Sequence, residues 1–130
     1  MAREATVRGR LYDLPYGYPA LVVPEEDIRA TGTMDYPADA EKGRVAEAGS
    51  QEALSGWDNV YGEVLNFDNP GEGLPALDGL EGFRPGEESF YRRVLIPATL
   101  ARTGTTVLVW AYAIEAESGV YLPGGRWSTP

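Results

Sequence analysis

One carboxylate occupies a position where its surroundings would change its chemistry. Leu74, Leu77 and Leu80 recur at threefold spacing, which predicts a short helix over residues 74–81 ended by Gly82 as its C-terminal cap. At 100° per residue, Glu81 projects between Leu74 and Leu77, on the apolar face. It also lies in the last turn, at the negative end of the helix dipole. Partial burial and the dipole both disfavour the ionised carboxylate, a setting that suits a general base or acid. A glutamate at a helix end that reaches water, or pairs with an arginine, is the structural alternative. Asp78 falls nearer the wet side of the same helix and reads as structural.

The remaining candidates are arginines and tyrosines. Arg10, Arg92 and Arg93 are suited to clamp a carboxylate bidentately, but only one of the adjacent pair can share a given strand face. An ion pair within the protein is the competing role for Arg93. Tyr12, Tyr61, Tyr91 and Tyr112 offer hydroxyl groups to a pocket, with aromatic packing in a β-rich core as the competing role. The sequence holds no cysteine and no histidine. Disulfides, thiolate nucleophiles, Ser–His and Cys–His catalysis and most transition-metal sites are thereby excluded. No loop shows the Asp-x-Asp-x-Asp-Gly spacing of a calcium site, so no metal is expected. The net charge of −9, with no basic cluster beyond Arg92-Arg93, argues against a nucleic-acid partner.

These residues must be held by a single domain, since 130 residues is one domain's length. Residues 6–12 alternate Val7, Gly9 and Leu11 with Arg8, Arg10 and Tyr12, the period of a strand. Residues 13–19 break that pattern as a loop, and 20–23 are a short apolar stretch. Residues 25–58 carry nine acidic side chains against three basic ones and show no sustained periodicity. They read as an acidic loop insertion, with a short helix near 50–54. Residues 60–67, 91–97 and 105–115 are strands rich in β-branched and aromatic residues. The last is apolar on both faces and is expected to be covered on both sides. With no crossover helices between strands, the class is α+β: a small mixed β-barrel or curled sheet with one short helix. The longest apolar run, around 107–114, is strand-sized and too short for a membrane span. No signal peptide is evident at the N-terminus, so a cytoplasmic protein is expected.

The spacing around Glu81 carries a resemblance. Leu77-Asp78-Gly79-Leu80-Glu81-Gly82-Phe83 followed by Tyr91-Arg92-Arg93 resembles the Leu-Asp-x-x-Glu-Gly…Tyr-x-Arg signature of the gamma-glutamylcyclotransferase-like (AIG2-like) family. Gly9-Arg10-Leu11-Tyr12-Asp13 and Tyr18-Pro19-Ala20-Leu21-Val22 look like the segment after that family's first helix. Val60-Tyr61-Gly62-Glu63-Val64 is similar to its Val-x-Gly-Glu-Val strand. Trp110-Ala111-Tyr112 and Pro123-Gly124-Gly125-Arg126-Trp127 are similar to its closing strand and C-terminal loop. The pieces run in order from about residue 6 to residue 127, interrupted by the acidic segment.

The resemblance implies a small α+β barrel and one reaction. The free α-amine of a γ-glutamyl group attacks its own γ-carbonyl, forming 5-oxoproline and expelling an amino acid or amine, with no cofactor. Glu81 aligns with the family's catalytic glutamate, and Arg93 with the arginine of Tyr-x-Arg. Glu81 is therefore the candidate catalytic residue, and Tyr12, Arg93 and Tyr112 are the candidate substrate-binding residues. The nucleophile is intramolecular, so the protein mainly supplies a folded-back conformer, a base and donors for the oxyanion. The family also opens with an apolar strand ending in Tyr-Gly-Ser/Thr-Leu, whose backbone amides bind the glutamyl α-carboxylate. This sequence starts after that point, and Tyr16-Gly17 is not a substitute. A second chain supplying the strand would make a homodimer. The alternative is a catalytically inactive relative that binds a small ligand or a protein partner.

Overall fold

The computed structural model describes residues 2–15, 19–44, 56–65, 70–85, 89–115 and 117–127. Among these residues, seven strands form one antiparallel sheet accompanied by two α-helices. In chain order they are β1 (Ala2–Asp13), β2 (Pro19–Val22), β3 (Ala30–Thr31), α1 (Tyr36–Arg44), β4 (Asp58–Leu65), α2 (Pro70–Glu81), β5 (Arg92–Leu100), β6 (Thr106–Ala113) and β7 (Val120–Leu122). β1 is the organiser: it pairs with β4 over its first eight residues, and with β2 and β7 near its end. Its contact with β5 is limited to Ala5 and Thr6. β5 pairs along its length with β6, from Arg92 opposite Ala113 to Thr99 opposite Thr106.

The turn between β5 and β6 closes on Gly104, whose φ of +72° suits a residue without Cβ. The Gly104 amide donates to the Leu100 carbonyl at 2.8 Å. Beyond that turn the two-residue period sorts side chains onto two faces. On one, Val94, Ile96 and Ala113 join Val23 in the core, with Val109 and Ala111 packed against them. On the other, Arg93, Trp110 and Tyr112 reach toward the helices. Residues 105–115, expected to form a strand covered on both sides, are only half-buried along most of β6, because β6 pairs with β5 alone among the described residues.

The α+β class expected from the sequence is the one observed, with a sheet that is not closed into a barrel. Two features depart from expectation. The described residues hold two α-helices rather than one, and α1 falls inside the acidic segment 25–58, together with a 3₁₀ turn at Glu25–Asp27 and β3. Within its described residues, two of its acids hold α1 in place. Asp35 caps α1, its Oδ1 accepting from the Ala38 amide at 3.2 Å, and Asp39 is wholly buried in an ion pair. The helix expected near 50–54 lies outside the described residues. Among the described residues, no helix is long and apolar enough to cross a membrane.

Candidate functional site

The helix that carries Glu81 is fixed by Asp78, three residues before it. Arg93 Nε donates to Asp78 Oδ1 at 2.8 Å and its Nη2 to Oδ2 at 3.1 Å, a bidentate pair. The Tyr112 hydroxyl donates to Oδ1 at 2.6 Å and the Tyr36 hydroxyl to Oδ2 at 3.0 Å. Four donors therefore occupy this carboxylate. Tyr112 and Arg93 are direct cross-strand neighbours on β6 and β5, so one register places both donors.

Arg93 also ties down α1. Its Nη1 donates to Asp39 Oδ2 at 3.1 Å and its Nη2 to the Thr33 carbonyl at 3.0 Å. The guanidinium lies 4.8 Å from the Trp110 ring centroid, 5.4 Å from that of Tyr36 and 5.7 Å from that of Phe83. Trp110 Nε1 completes the join, donating to the Asp39 carbonyl at 2.7 Å. Burial acts to lower the Arg93 pKa, but the hydrogen bonds and charge of Asp78, then those of Asp39, outweigh it and raise the pKa.

Glu81 occupies a different setting on the same helix. Gly82, at φ +71°, ends α2, and the Phe83 amide bonds the Asp78 carbonyl at 2.9 Å, the Schellman closure. That stop leaves Glu81 at the edge of a cleft of about 550 Å³. Leu11 of β1 and Pro19 and Leu21 of β2 form one side. Leu80, Tyr91 and Tyr112 complete it around Glu81. Glu81 is half-buried, and among the described residues no side chain hydrogen-bonds or ion-pairs with its carboxylate. Asp78 is thus saturated, whereas Glu81 has its lone pairs available. Burial first, then the hydrogen bond and charge of Asp78, push the Tyr112 phenol well above its ordinary 10.0. Arg93 opposes the rise, and the Glu81 charge adds to it.

The structure brings two of the four expected site residues, Glu81 and Tyr112, into one cleft. Arg93 is not in its lining: with 0 % exposure and its donors engaged by Asp78, Asp39 and Thr33, it stands behind the wall. The expected clamp on a substrate carboxylate becomes an internal clamp on two helices. Tyr12 is also elsewhere. Adjacent strand residues point oppositely, so Leu11 faces the cleft while Tyr12 packs with Leu14, Ala20 and Ile114. Its ring lies 5.7 Å from that of Tyr121.

Asp78, expected on the wet side of its helix, is 2 % exposed, and Leu80 is 80 % exposed. The helix is rotated from the orientation its leucines suggest because the buried guanidinium of Arg93 demands a carboxylate facing it. Asp39 and Tyr36 were not singled out from the sequence. The signal available was the cap: Asp35 followed by Tyr36-Pro37 is a helix start. Among the described residues, no group of three acidic, His or Cys side chains stands where it could hold a metal ion.

Comparison with known proteins decides the family. A family model described as "Gamma-glutamyl cyclotransferase, AIG2-like" matches residues 36–129. The chain belongs to this family. As a member of the AIG2-like gamma-glutamyl cyclotransferases, it carries Glu81, Tyr112 and the Asp78–Arg93–Asp39 cluster all within the matched region. β1, with Leu11 and Tyr12, precedes that region. No curated protein and no solved structure matches the chain.

Proposed function

We propose that the protein cyclises a γ-glutamyl group to 5-oxoproline with release of an amino acid or amine, and that Glu81 is the general acid and base. The observation that carries this reading is the contrast between two carboxylates on one helix turn. Asp78 is consumed by four donors, while Glu81 borders the cleft with no such partner among the described residues.

The substrate's α-ammonium gives a proton to Glu81, and the freed amine attacks the γ-carbonyl carbon. A C–N bond forms and the carbonyl oxygen becomes an oxyanion. When the intermediate collapses, the original C–N bond breaks as the leaving nitrogen takes that proton from Glu81. The second proton of the attacking nitrogen follows through the same carboxylate, so that a neutral ring amide and the ammonium form of the leaving amine result. Charge balances without a cofactor. The nucleophile is tethered to the electrophile, so most of the acceleration required of the protein is conformational. The positioned base contributes about 10²–10⁴-fold.

Tyr112 serves the same step. Its proton is committed to Asp78 at 2.6 Å, so its oxygen offers lone pairs as an acceptor for the α-ammonium. Arg93 acts as a positioning residue: it fixes Asp78, and through it the turn that presents Glu81. The protein's cytoplasmic setting and a homodimer remain parts of this reading. For the dimer, β6 pairs only with β5 among the described residues, which leaves an edge for an added strand.

The test is 5-oxoproline release from γ-glutamyl dipeptides and γ-glutamyl amines by the native chain and by Glu81→Gln. Release that disappears in the variant supports the reading. No release from any substrate by a folded native chain overturns it in favour of a binding protein.

A further inference from the structure

The cyclotransferase reading, on which this inference rests for its chemistry, employs only one of the two tyrosines in the described lining of the cleft. The other, Tyr91, stands where the sheet stays open. Among the described residues β2 pairs with β1 and β6 with β5, so the outer edge of β2 and the end of β6 meet across a seam. Two hydrogen bonds cross it. The Ile114 amide donates to the Leu21 carbonyl at 2.8 Å, and the Tyr91 hydroxyl donates to the Pro19 carbonyl at 3.1 Å. Residues two apart on a strand turn their carbonyls to the same edge, so both bonds hold the same side of β2. Pro19 and Leu21 are also, with Leu11, the apolar wall of the cleft. Proline has no N–H, which leaves the carbonyl as the one polar backbone group by which Pro19 can be held.

The ring that carries this hydroxyl is itself fixed. Tyr91 packs against the buried group Tyr12, Leu14, Ala20 and Ile114, and Phe90 meets its ring edge-on at 5.0 Å. Arg93, two residues further on, holds Asp78 and with it the turn that ends in Glu81. One short stretch of backbone therefore secures both sides of the cleft. Through Arg93 it holds the helix that bears the base, and through Tyr91 the strand that forms the other side.

We propose that Tyr91 is a positioning residue whose hydroxyl, acting through Pro19, sets the distance between the apolar wall and Glu81 at which a γ-glutamyl chain folds back on itself. Ring closure needs the α-amine against the γ-carbonyl and within reach of the carboxylate. A wall at a fixed distance excludes the extended conformers that cannot react. Without the hydroxyl, Pro19 is held among the described residues only by its pairing with Asp13 of β1. Substrate still binds, because every lining side chain but one oxygen is retained. The share of it in the reactive conformer falls. The expected signature is a lower kcat at nearly constant KM.

Tyr91→Phe keeps the ring and its packing and removes that oxygen. Two measurements on the whole chain test the proposal. Amide hydrogen exchange followed by NMR should show Ile114 exchanging about 5-fold faster in the variant. Ile96 and Val109, paired in the middle of β5 and β6, should be unchanged. Steady-state 5-oxoproline release from γ-glutamyl substrates should show kcat about 10-fold lower, with KM within about 2-fold of native. Unaltered exchange at Ile114, or acceleration shared equally by all three amides, overturns the hold on Pro19. Faster exchange at Ile114 with native kcat, or a loss confined to KM, overturns the positioning role. No release by the native chain sinks the reaction and the positioning role together, while exchange at Ile114 still decides whether the hydroxyl holds the wall.

Discussion

Arg93 and Asp78 meet in a two-pronged ion pair, Nε to Oδ1 at 2.8 Å and Nη2 to Oδ2 at 3.1 Å, with both residues withdrawn from water. The pair joins a central strand to the helix that ends in Glu81, so the geometry of the cleft depends on a contact outside it. Removing one partner leaves the other charge buried and uncompensated. Arg93→Met is therefore expected to destabilise the fold by about 3–5 kcal/mol, measured by urea denaturation. Arg93→Lys should recover little, because an ammonium cannot reproduce the planar fork. A Lys variant of native stability would refute the bidentate requirement.

Tyr112 and Tyr36 each give one hydrogen bond to Asp78, but only Tyr112 lines the cleft. The two phenylalanine variants should lose similar stability, about 1–2 kcal/mol each. Tyr112→Phe alone should lower kcat/KM for 5-oxoproline release, by about 10-fold for one lost hydrogen bond. Equal kinetic losses in both variants would reduce Tyr112 to a structural role.

Alkaline pH provides a second view of the same cluster. Burial and Asp78 raise the phenol pKa values of Tyr112 and Tyr36 above the usual 10.0. Below pH 10 both phenols are protonated in the folded and unfolded chains, and their contribution to stability is constant. Above it the unfolded chain releases protons that the folded chain retains, so stability falls as pH rises. The urea midpoint is expected to hold up to about pH 10 and to drop above it, less steeply in Tyr112→Phe. Identical slopes would contradict the shift.

Gly32 permits the cluster to form. A Cβ at this position would lie 2.8 Å from Arg93 Cζ and 3.0 Å from the Phe83 ring, and the guanidinium is held too firmly to move aside. Gly32→Ala should cost about 1–3 kcal/mol through overpacking, read as a lower thermal midpoint.

Much of the scaffold was legible along the chain. The alternation around Leu11, the β-branched runs of β5 and β6 and the cap at Gly82 are local signals, because strand period and helix termination depend on neighbouring residues. The same holds for the family motif around Glu81. α1 was harder to read, since its Asp35 cap and Pro37 sit within an acidic stretch that resembles solvated loop. Its burial depends on residues far along the chain, Arg93 and Trp110.

The sequence by itself determined that these 130 residues offer no thiol or imidazole, that the class is α+β, and that Glu81 ends a helix. Tertiary structure decided what the other polar residues do. Periodicity specifies only the relative directions of side chains on one element, and Asp78 reads as wet by that measure. Packing rotates the helix because a buried guanidinium must face carboxylates. Asp78 is thereby taken into the core and Arg93 behind the wall. Glu81 is left at the cleft.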